Sequence, residues 1–198
     1  MKLRTLEMKL ERVSGIVDPD PAKEQYMTPA TLAARLLFDA YLAGDIEGCS
    51  VCDLGSGSGI LGIGAALLGA GKVVGIEEDE RFVAAAKENM KTLSVDCTFI
   101  RGDVGDLAES FDTIVMNPPF GAQTAHADRP FIDASLRAAP VVYGIFNAGT
   151  IPFLSSYIKG RAVISGAVSA SFPIKRIFSF HRRDIRDIPV EIVCLRRI

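Results

Sequence analysis

Short apolar runs alternate with helix-like segments from residue 50 onward, and this alternation limits the folds open to the chain more than any other feature. The predicted strands are residues 50–54, 72–77, 97–101, 111–116 and 141–146, and the predicted helices are 60–68, 79–92, 130–138 and 150–157. Repeated strand–helix–strand units require a parallel sheet with helices on both faces. Three strand-like segments, 162–170, 174–180 and 190–195, follow without clear helices, which predicts an antiparallel hairpin on one edge. The predicted fold class is α/β with a mostly parallel sheet.

The residues before the first strand are predicted to be helical. Apolar side chains recur at helical spacing over residues 2–14, which indicates an amphipathic helix. Thr28 is suited to cap a second helix that starts at Pro29 and ends near Gly44. At 198 residues, and with no linker or repeat, the chain is expected to form one domain, 1–198, with an N-terminal helical segment of about 1–45.

Composition limits the setting in which the chain works. No apolar stretch reaches the length of a membrane span, and the first residues lack the apolar core of a signal peptide. A cytoplasmic protein without a membrane partner is therefore expected. Cys49 and Cys52 are the one close pair among four cysteines, and no second Cys or His pair exists to complete a zinc site. We therefore predict buried free thiols and no metal.

Charge is distributed unevenly along the chain. The formal net charge is −2, yet seven basic residues and three acids lie between residue 175 and the last residue. A basic end on an acidic body suits contact with nucleic-acid phosphates, and it suits a solvated hairpin equally well. The candidate RNA contacts in this region are Lys175, Arg176, His181, Arg182 and Arg183.

A glycine-rich turn follows the first predicted strand and opens a helix. Its glycines, Gly55, Gly57 and Gly59, alternate with serines and would let a ligand approach the backbone closely. A dinucleotide-binding turn spaces its glycines differently and leaves helix amides free for a pyrophosphate. Here Asp53 lies at the end of the strand, where it would repel phosphate and favour an ammonium group.

One acid ends the second predicted strand, and another follows the third. Glu77 can accept hydrogen bonds from both hydroxyls of a ribose, and Asp103 can accept one from an adenine amino group. Each acid alone is equally well explained as a solvated carboxylate at a strand end. Together with Asp53 and the alternating glycines, they resemble the S-adenosylmethionine site of the Rossmann-like methyltransferases. This resemblance implies S-adenosyl-L-methionine as the cofactor.

The tetrapeptide Asn117-Pro118-Pro119-Phe120 directly follows the fourth predicted strand. Two prolines cannot continue a strand, so the chain leaves the sheet at the strand's carboxyl end, where open α/β sheets bind ligands. A stiff turn can aim the Asn117 amide oxygen and the Pro118 carbonyl at one amino group, while Phe120 offers a flat face to its ring. We predict that these four residues are catalytic, with Asn117 also beside the cofactor.

Three stretches resemble one family, the small archaeal and eukaryotic methylases of adenine N6 in small-subunit ribosomal RNA. They are the tetrapeptide, the segment 24–28, and the ending from residue 172 to 192. The resemblance covers almost the whole chain and implies a class I, Rossmann-like methyltransferase fold with a seven-stranded sheet. It also implies that Gln25, Tyr26 and Thr28 close over the methionine end of the cofactor, and that Phe120 stacks on the target adenine.

The expected function is S-adenosylmethionine-dependent methylation of an exocyclic adenosine amine in ribosomal RNA. The family further implies a small zinc-binding activator protein that pairs with an edge of the sheet. Two alternatives stay open: methylation of a glutamine amide in a protein, whose NH2 group offers the same two protons, and a non-catalytic RNA-binding scaffold. The protein-directed enzymes typically carry tyrosine where this chain has Phe120, and a scaffold would not require an intact tetrapeptide and acid set.

Overall fold

The computed structural model describes residues 1–16, 27–120, 126–175 and 185–198. Six of the residues singled out above, Gln25, Tyr26, Arg176, His181, Arg182 and Arg183, lie outside this part of the chain. Lys175 is the last residue of a strand, and only its backbone is described. The roles predicted for these seven residues therefore stay predictions.

The order of the elements follows the predicted alternation of strands and helices. The helices are α1 (Leu3–Leu10), α2 (Ala30–Leu42), α3 (Ile60–Leu67), α4 (Glu80–Leu93), α5 (Arg129–Ala138) and α6 (Ile151–Tyr157). The strands are β1 (Ser50–Leu54), β2 (Lys72–Glu77), β3 (Thr98–Arg101), β4 (Thr113–Met116), β5 (Val141–Asn147), β6 (Ala162–Lys175) and β7 (Ile185–Arg197). A short 3-10 turn, Val104–Asp106, follows β3.

The seven strands form one sheet in the order β3-β2-β1-β4-β5-β7-β6. The strands from β3 to β5 pair in parallel, and β7 is antiparallel to both β5 and β6. This arrangement confirms the mostly parallel α/β sheet and its antiparallel edge hairpin. The strand order reverses between β1 and β4, where Leu54 pairs with Met116. Such a reversal is the position at which open α/β sheets bind their ligands.

Successive side chains of the strands pack into two apolar layers. One layer contains Val51 and Tyr143 and is covered by α1, α2, α3 and α4, whereas the other contains Cys52 and Ile114 and is covered by α5 and α6. Because neighbouring strand residues point to opposite faces, the helices lie on both faces of the sheet. The single-domain organisation stays a prediction.

The C-terminal hairpin is longer than the rest of the sheet. β5 pairs with β7 only as far as Asn147 and Val190, whereas β6 and β7 continue to pair for five further residue pairs, 171–175 with 185–189. We call this two-stranded extension the ribbon. Residues 162–170 and 174–180 are predicted as separate strands; the break between them is wrong, because β6 runs from Ala162 to Lys175. Residues 176–180 of the second predicted strand lie outside the described part of the chain.

Two expectations for the N-terminal region are wrong in detail. Helix α1 ends at Leu10 rather than at residue 14, although Val13 remains buried. Thr28 does not cap α2, because Pro29 occupies the N-cap position and no side chain bonds to the first turn. The Thr28 hydroxyl instead accepts a hydrogen bond from Asn117, at 2.9 Å.

Three of the four cysteines, Cys52, Cys97 and Cys194, are buried free thiols, as predicted, and Cys49 is half-buried. No described helix is long and apolar enough to cross a membrane. Within the same residues, no cluster of three or more His, Cys, Asp and Glu side chains is placed to hold a metal ion.

Candidate active site

A cavity of about 410 Å³ lies at the carboxyl ends of the parallel strands, beside the reversal of strand order. Eight of the predicted site residues line it: Thr28, Asp53, Gly55, Gly57, Glu77, Asp103, Asn117 and Pro119. They come from the ends of four strands and from the segment that enters α2. The parallel register explains the convergence, because the strand ends are aligned at one edge of the sheet.

Asp53 is the most deeply buried charged group of the cavity, with 1% of its surface exposed. Its Oδ2 accepts a hydrogen bond from the Gly62 amide at 2.7 Å, while its Oδ1 is buried with no partner in the described part of the chain. Burial raises the pKa of Asp53 to about 8, although the bond from Gly62 opposes the shift. An unpaired buried carboxylate oxygen is costly, so the site is suited to a ligand that brings a cation or a donor.

Glu77 organises the loops around the cavity. Its Oε2 accepts from the Gly57 amide at 2.8 Å, and its Oε1 accepts from the Asp79 amide at 3.0 Å. Burial raises the pKa of Glu77, and the two amide bonds oppose this shift. A carboxylate oxygen has more than one lone pair, so Glu77 can still accept from a ligand.

Asp103 plays the same part after β3. Its Oδ1 accepts from the Gly105 amide at 2.7 Å and so starts the short 3-10 turn. Glu77 and Asp103 therefore both accept hydrogen bonds from loop amides while they line the cavity. Their bonds to a cofactor stay predictions.

Asn117 leaves β4 directly beside the glycine turn that follows β1. Its Nδ2 donates to the Thr28 Oγ1, and its Oδ1 is buried without a partner among the described residues. The hydrogen bond to Thr28 fixes which end of the amide is left unbonded. An acceptor of this kind is what a primary amine or amide substrate requires.

The glycines of the turn have different physical roles. A Cβ at Gly55, where φ is +73°, would lie 2.6 Å from the ring of Phe131, so this glycine is required by a side chain on α5. A Cβ at Gly57 would meet no atom within 4 Å, and this glycine lines the cavity. Gly59 does not line it, because Phe99 and Ala86 fill the space where its side chain would be. The prediction that Gly59 binds the cofactor gains no support from this placement.

Pro118 and Phe120 are not among the residues that line the cavity. The ring of Phe120 is half-buried and meets Phe172 of the ribbon edge to face, at 5.6 Å between centroids. The Asn147 amide donates to the Phe120 carbonyl at 3.1 Å. The tetrapeptide is therefore held from two sides, by β5 and by the ribbon.

Sequence reasoning missed several residues that line the cavity. Phe131 and Pro130 come from the start of α5, Glu78 follows Glu77, and Ser56 carries a buried hydroxyl with no partner in the described residues. The signal for Glu78 and Ser56 was their position beside predicted residues. No local pattern marks Phe131, since its contact with Gly55 depends on how α5 packs.

The lining of the cavity suits S-adenosylmethionine. Four acids, Asp53, Glu77, Glu78 and Asp103, face it, and its described lining contains no basic residue. Such a set repels phosphate and attracts a cation, and the molecule carries both a sulfonium and an ammonium group. The unpaired Asp53 Oδ1 and Ser56 hydroxyl are further sites for ligand hydrogen bonds.

Comparisons with known proteins agree with this geometry. The sequence matches the family described as "Methyltransferase small domain" over residues 32–140, more than half of the chain. The chain is a class I, Rossmann-like methyltransferase that uses S-adenosylmethionine, as its sheet, its glycine turn, its set of acids and the family match together define. The chain is 37% identical to the rRNA N(6)-adenosine-methyltransferase Mettl5 of Drosophila melanogaster, over 96% of this chain and 94% of that protein. It belongs to this family of rRNA N6-adenosine methyltransferases.

Two further relatives extend the likeness over the full length. The Danio rerio rRNA N(6)-adenosine-methyltransferase METTL5 is 30% identical over 98% of each chain. The crystal structure of PH1948 from Pyrococcus horikoshii is similar with a TM-score of 0.92 and 35% identity, and covers 100% of this chain and 98% of that one. The resemblance noted from short motifs is thus confirmed.

Replacing Asp53 with asparagine is expected to stabilise the cofactor-free protein at high pH. The pKa is about 8 in the folded state against an ordinary value of 3.8, so folding takes up a proton between these pH values. The free energy of unfolding of the wild type should therefore fall as pH rises from about 4 to about 8, by on the order of a few kcal/mol. Denaturant unfolding of Asp53→Asn at a series of pH values should not show this fall.

Asp112 provides a control of opposite sign. Two hydrogen bonds from Ser50 lower the pKa of this exposed carboxyl, so its contribution to stability is present above its unfolded pKa and is lost as pH falls through the folded value. Asp112→Asn should therefore destabilise the protein slightly at neutral pH. Equal pH profiles for wild type and Asp53→Asn would show that Asp53 is not held protonated.

Proposed function

We propose that this chain transfers a methyl group from S-adenosylmethionine to the exocyclic N6 amine of an adenosine in small-subunit ribosomal RNA. The observation that carries the proposal is the Asn117 amide, which lines the cavity. Its Nδ2 donates to Thr28, and its Oδ1 has no partner within the described residues. Full-length similarity to enzymes named for rRNA N6-adenosine methylation supports the choice of substrate.

The two acceptors of the tetrapeptide would activate the amine. Its lone pair is conjugated with the adenine ring, which makes N6 a poor nucleophile. Hydrogen bonds from its two protons to the Asn117 Oδ1 and the Pro118 carbonyl favour the geometry and charge of an amine that leaves this conjugation. The bound cofactor supplies an electrophilic methyl group on its sulfonium.

No side chain of the site has to act as a strong base. The nitrogen becomes acidic as it gains the methyl group, so the proton can leave to water after transfer. The target base has to be unpaired or turned out of its helix to reach the tetrapeptide. Phe120 would then stack on it, and the contact of Phe120 with Phe172 holds the ring for that purpose.

Thr28 is expected to position Asn117, in addition to its predicted place beside the cofactor. Thr28→Val keeps the shape of the side chain and removes the hydroxyl that accepts from Nδ2, so the amide can rotate and offer its donor end to the substrate. We expect kcat to fall by about tenfold, which corresponds to the loss of one hydrogen bond.

Thr28→Ser is the matched control, because it keeps the hydroxyl. It should retain near-wild-type kcat in the same steady-state assay with RNA. A large loss in Thr28→Ser with near-wild-type turnover in Thr28→Val would mean that the methyl group of Thr28, and not its hydroxyl, matters for turnover.

Different parts of the site should give different kinetic defects. Asn117→Ala is expected to abolish turnover and leave RNA binding nearly unchanged, because the lost interaction matters most in the transition state.

Replacing the basic residues 175, 176, 182 and 183 should instead weaken RNA binding and reduce its salt dependence by about one unit of slope per lost phosphate contact. Phe120→Ala should lose about 1–3 kcal/mol of base stacking.

One assay tests the proposed reaction directly. The protein is incubated with labelled cofactor and either ribosomal RNA or total protein, and the RNA product is digested to nucleosides. N6-methyladenosine is the expected product. Label in a protein glutamine would favour the protein-directed alternative, and label on any base atom other than an exocyclic amine would overturn the role given to Asn117.

A small zinc-binding activator is part of the proposal, as an edge-pairing partner of the sheet. Both edge strands support it, since β3 exposes 45% of Ile100 and β6 exposes 50% of Val163 and 37% of Val168. Apolar side chains on an open edge strand promote association unless a partner covers them.

The isolated chain is therefore expected to self-associate. Ile100→Lys on β3 and Val168→Lys on β6 each place a charge on one edge, and the variant that restores a monodisperse species in sedimentation velocity identifies the edge that needs a partner. A wild-type chain that is monodisperse, stable and fully active alone would show that no partner is obligatory.

A further inference from the structure

Arg129, the first residue of α5, carries a charge that has no counter-ion among the described residues. Its guanidinium carbon lies 5.4 Å from the ring centroids of both Phe153 and Tyr157, and these two rings stack on each other at 5.5 Å. Within the described residues, the Arg129 side chain makes no hydrogen bond or ion pair, and its Nε is buried without a partner. The aromatic rings hold the group in place but do not neutralise it.

The carboxylate that should pair with Arg129 is engaged elsewhere. Asp133 lies four residues along the same helix, which is the spacing at which Arg and Asp normally pair. Its Oδ1 instead accepts from Arg161 at 2.6 Å, and its Oδ2 accepts from the Tyr157 hydroxyl at 2.8 Å. Arg161 also lies over the Tyr157 ring, at 5.1 Å. Two arginines thus share one aromatic pair, and in the described part of the chain Arg161 has a carboxylate partner whereas Arg129 has none.

The position of Arg129 relates this free charge to the active site. Its neighbours in the chain, Ala127, Pro130 and Phe131, line the cavity that also contains Asn117 and Pro119. The described lining of that cavity has four acids and no base, so it repels the phosphates of any RNA strand that delivers a base to it. Arg129 does not itself line the cavity, but a cation next in the chain to residues that do would counter this repulsion. A planar guanidinium is also the side chain best suited to grip a phosphate with two parallel hydrogen bonds.

We propose that Arg129, held against Phe153 and Tyr157, binds a backbone phosphate of the RNA strand next to the target adenosine. This inference rests on the proposed function and adds a contact on α5, away from the basic residues of the C-terminal hairpin. The uncompensated charge is the reason to assign the phosphate to Arg129 and not to Arg161.

The test measures RNA binding as a function of salt. The probe is a fluorescein-labelled single-stranded oligoribonucleotide containing adenosine, and anisotropy is recorded with S-adenosylhomocysteine present from low to moderate salt. Arg129→Gln should weaken binding about tenfold at low salt and lower the slope of log affinity against log salt by about 0.7, the value for one single-strand phosphate. Cofactor affinity, measured by calorimetry, should not change.

Two further variants make the result specific. Arg129→Lys keeps the charge and loses the planar fork, so the salt slope should be retained while affinity falls a few-fold. The control removes the neutralised pair as a unit: Arg161→Gln is combined with Asp133→Asn, so that no carboxylate is released to pair with Arg129, and this double variant should leave the slope unchanged. If Arg129→Gln has the wild-type slope, or if the double variant loses as much, the phosphate assignment is overturned. The wild-type methylation assay decides the proposed function separately, since methyl transfer to ribosomal RNA can succeed while this assignment fails.

Discussion

The parallel pairing of β1 with β4 is the constraint on which the rest of the site depends. Leu54 lies opposite Met116, so the chain leaves both strands at the same level and on the same edge of the sheet. The glycine turn after β1 and the tetrapeptide after β4 are thereby held side by side. A cofactor bound at one is adjacent to a substrate bound at the other, and no flexible part of the described chain has to bring them together.

The same edge of the sheet concentrates uncompensated polar atoms. The Asp53 Oδ1, the Ser56 hydroxyl and the Asn117 Oδ1 are buried without partners in the described residues, although buried polar groups in native proteins are normally paired. Burial of the two apolar layers offsets the free-energy cost of these unpaired atoms. A ligand that pairs with these atoms would therefore recover free energy that is lost while they are buried unpaired. Perturbed polar groups of this kind cluster at functional sites.

Many residues of the candidate site could be predicted, because local sequence patterns indicate them. Asp53 and Glu77 lie at the ends of strands that are recognisable by their apolar runs, and Asp103 follows a third such strand. Parallel strands align such residues automatically. What could not be predicted depends on tertiary packing. The Thr28 hydroxyl suits a helix cap by sequence, and only the fold brings Asn117 to it, 89 residues along the chain. The engagement of Asp133 by Tyr157 and Arg161 likewise overrides the local pairing that its spacing to Arg129 would favour.

The ribbon extends the sheet by a fixed length. Five residue pairs extend past β5, and at roughly 3.3 Å per residue this places the end of the described ribbon about 16 Å beyond the sheet. The Phe172 ring, at the base of the ribbon, contacts Phe120 of the tetrapeptide, so the reach of the ribbon is measured from that residue. Removing one residue from each strand would turn every side chain of the ribbon to the opposite face, and removing two would shorten the reach by roughly 7 Å and keep the faces. The strand length of the hairpin therefore fixes how far the end of the described ribbon lies from Phe120.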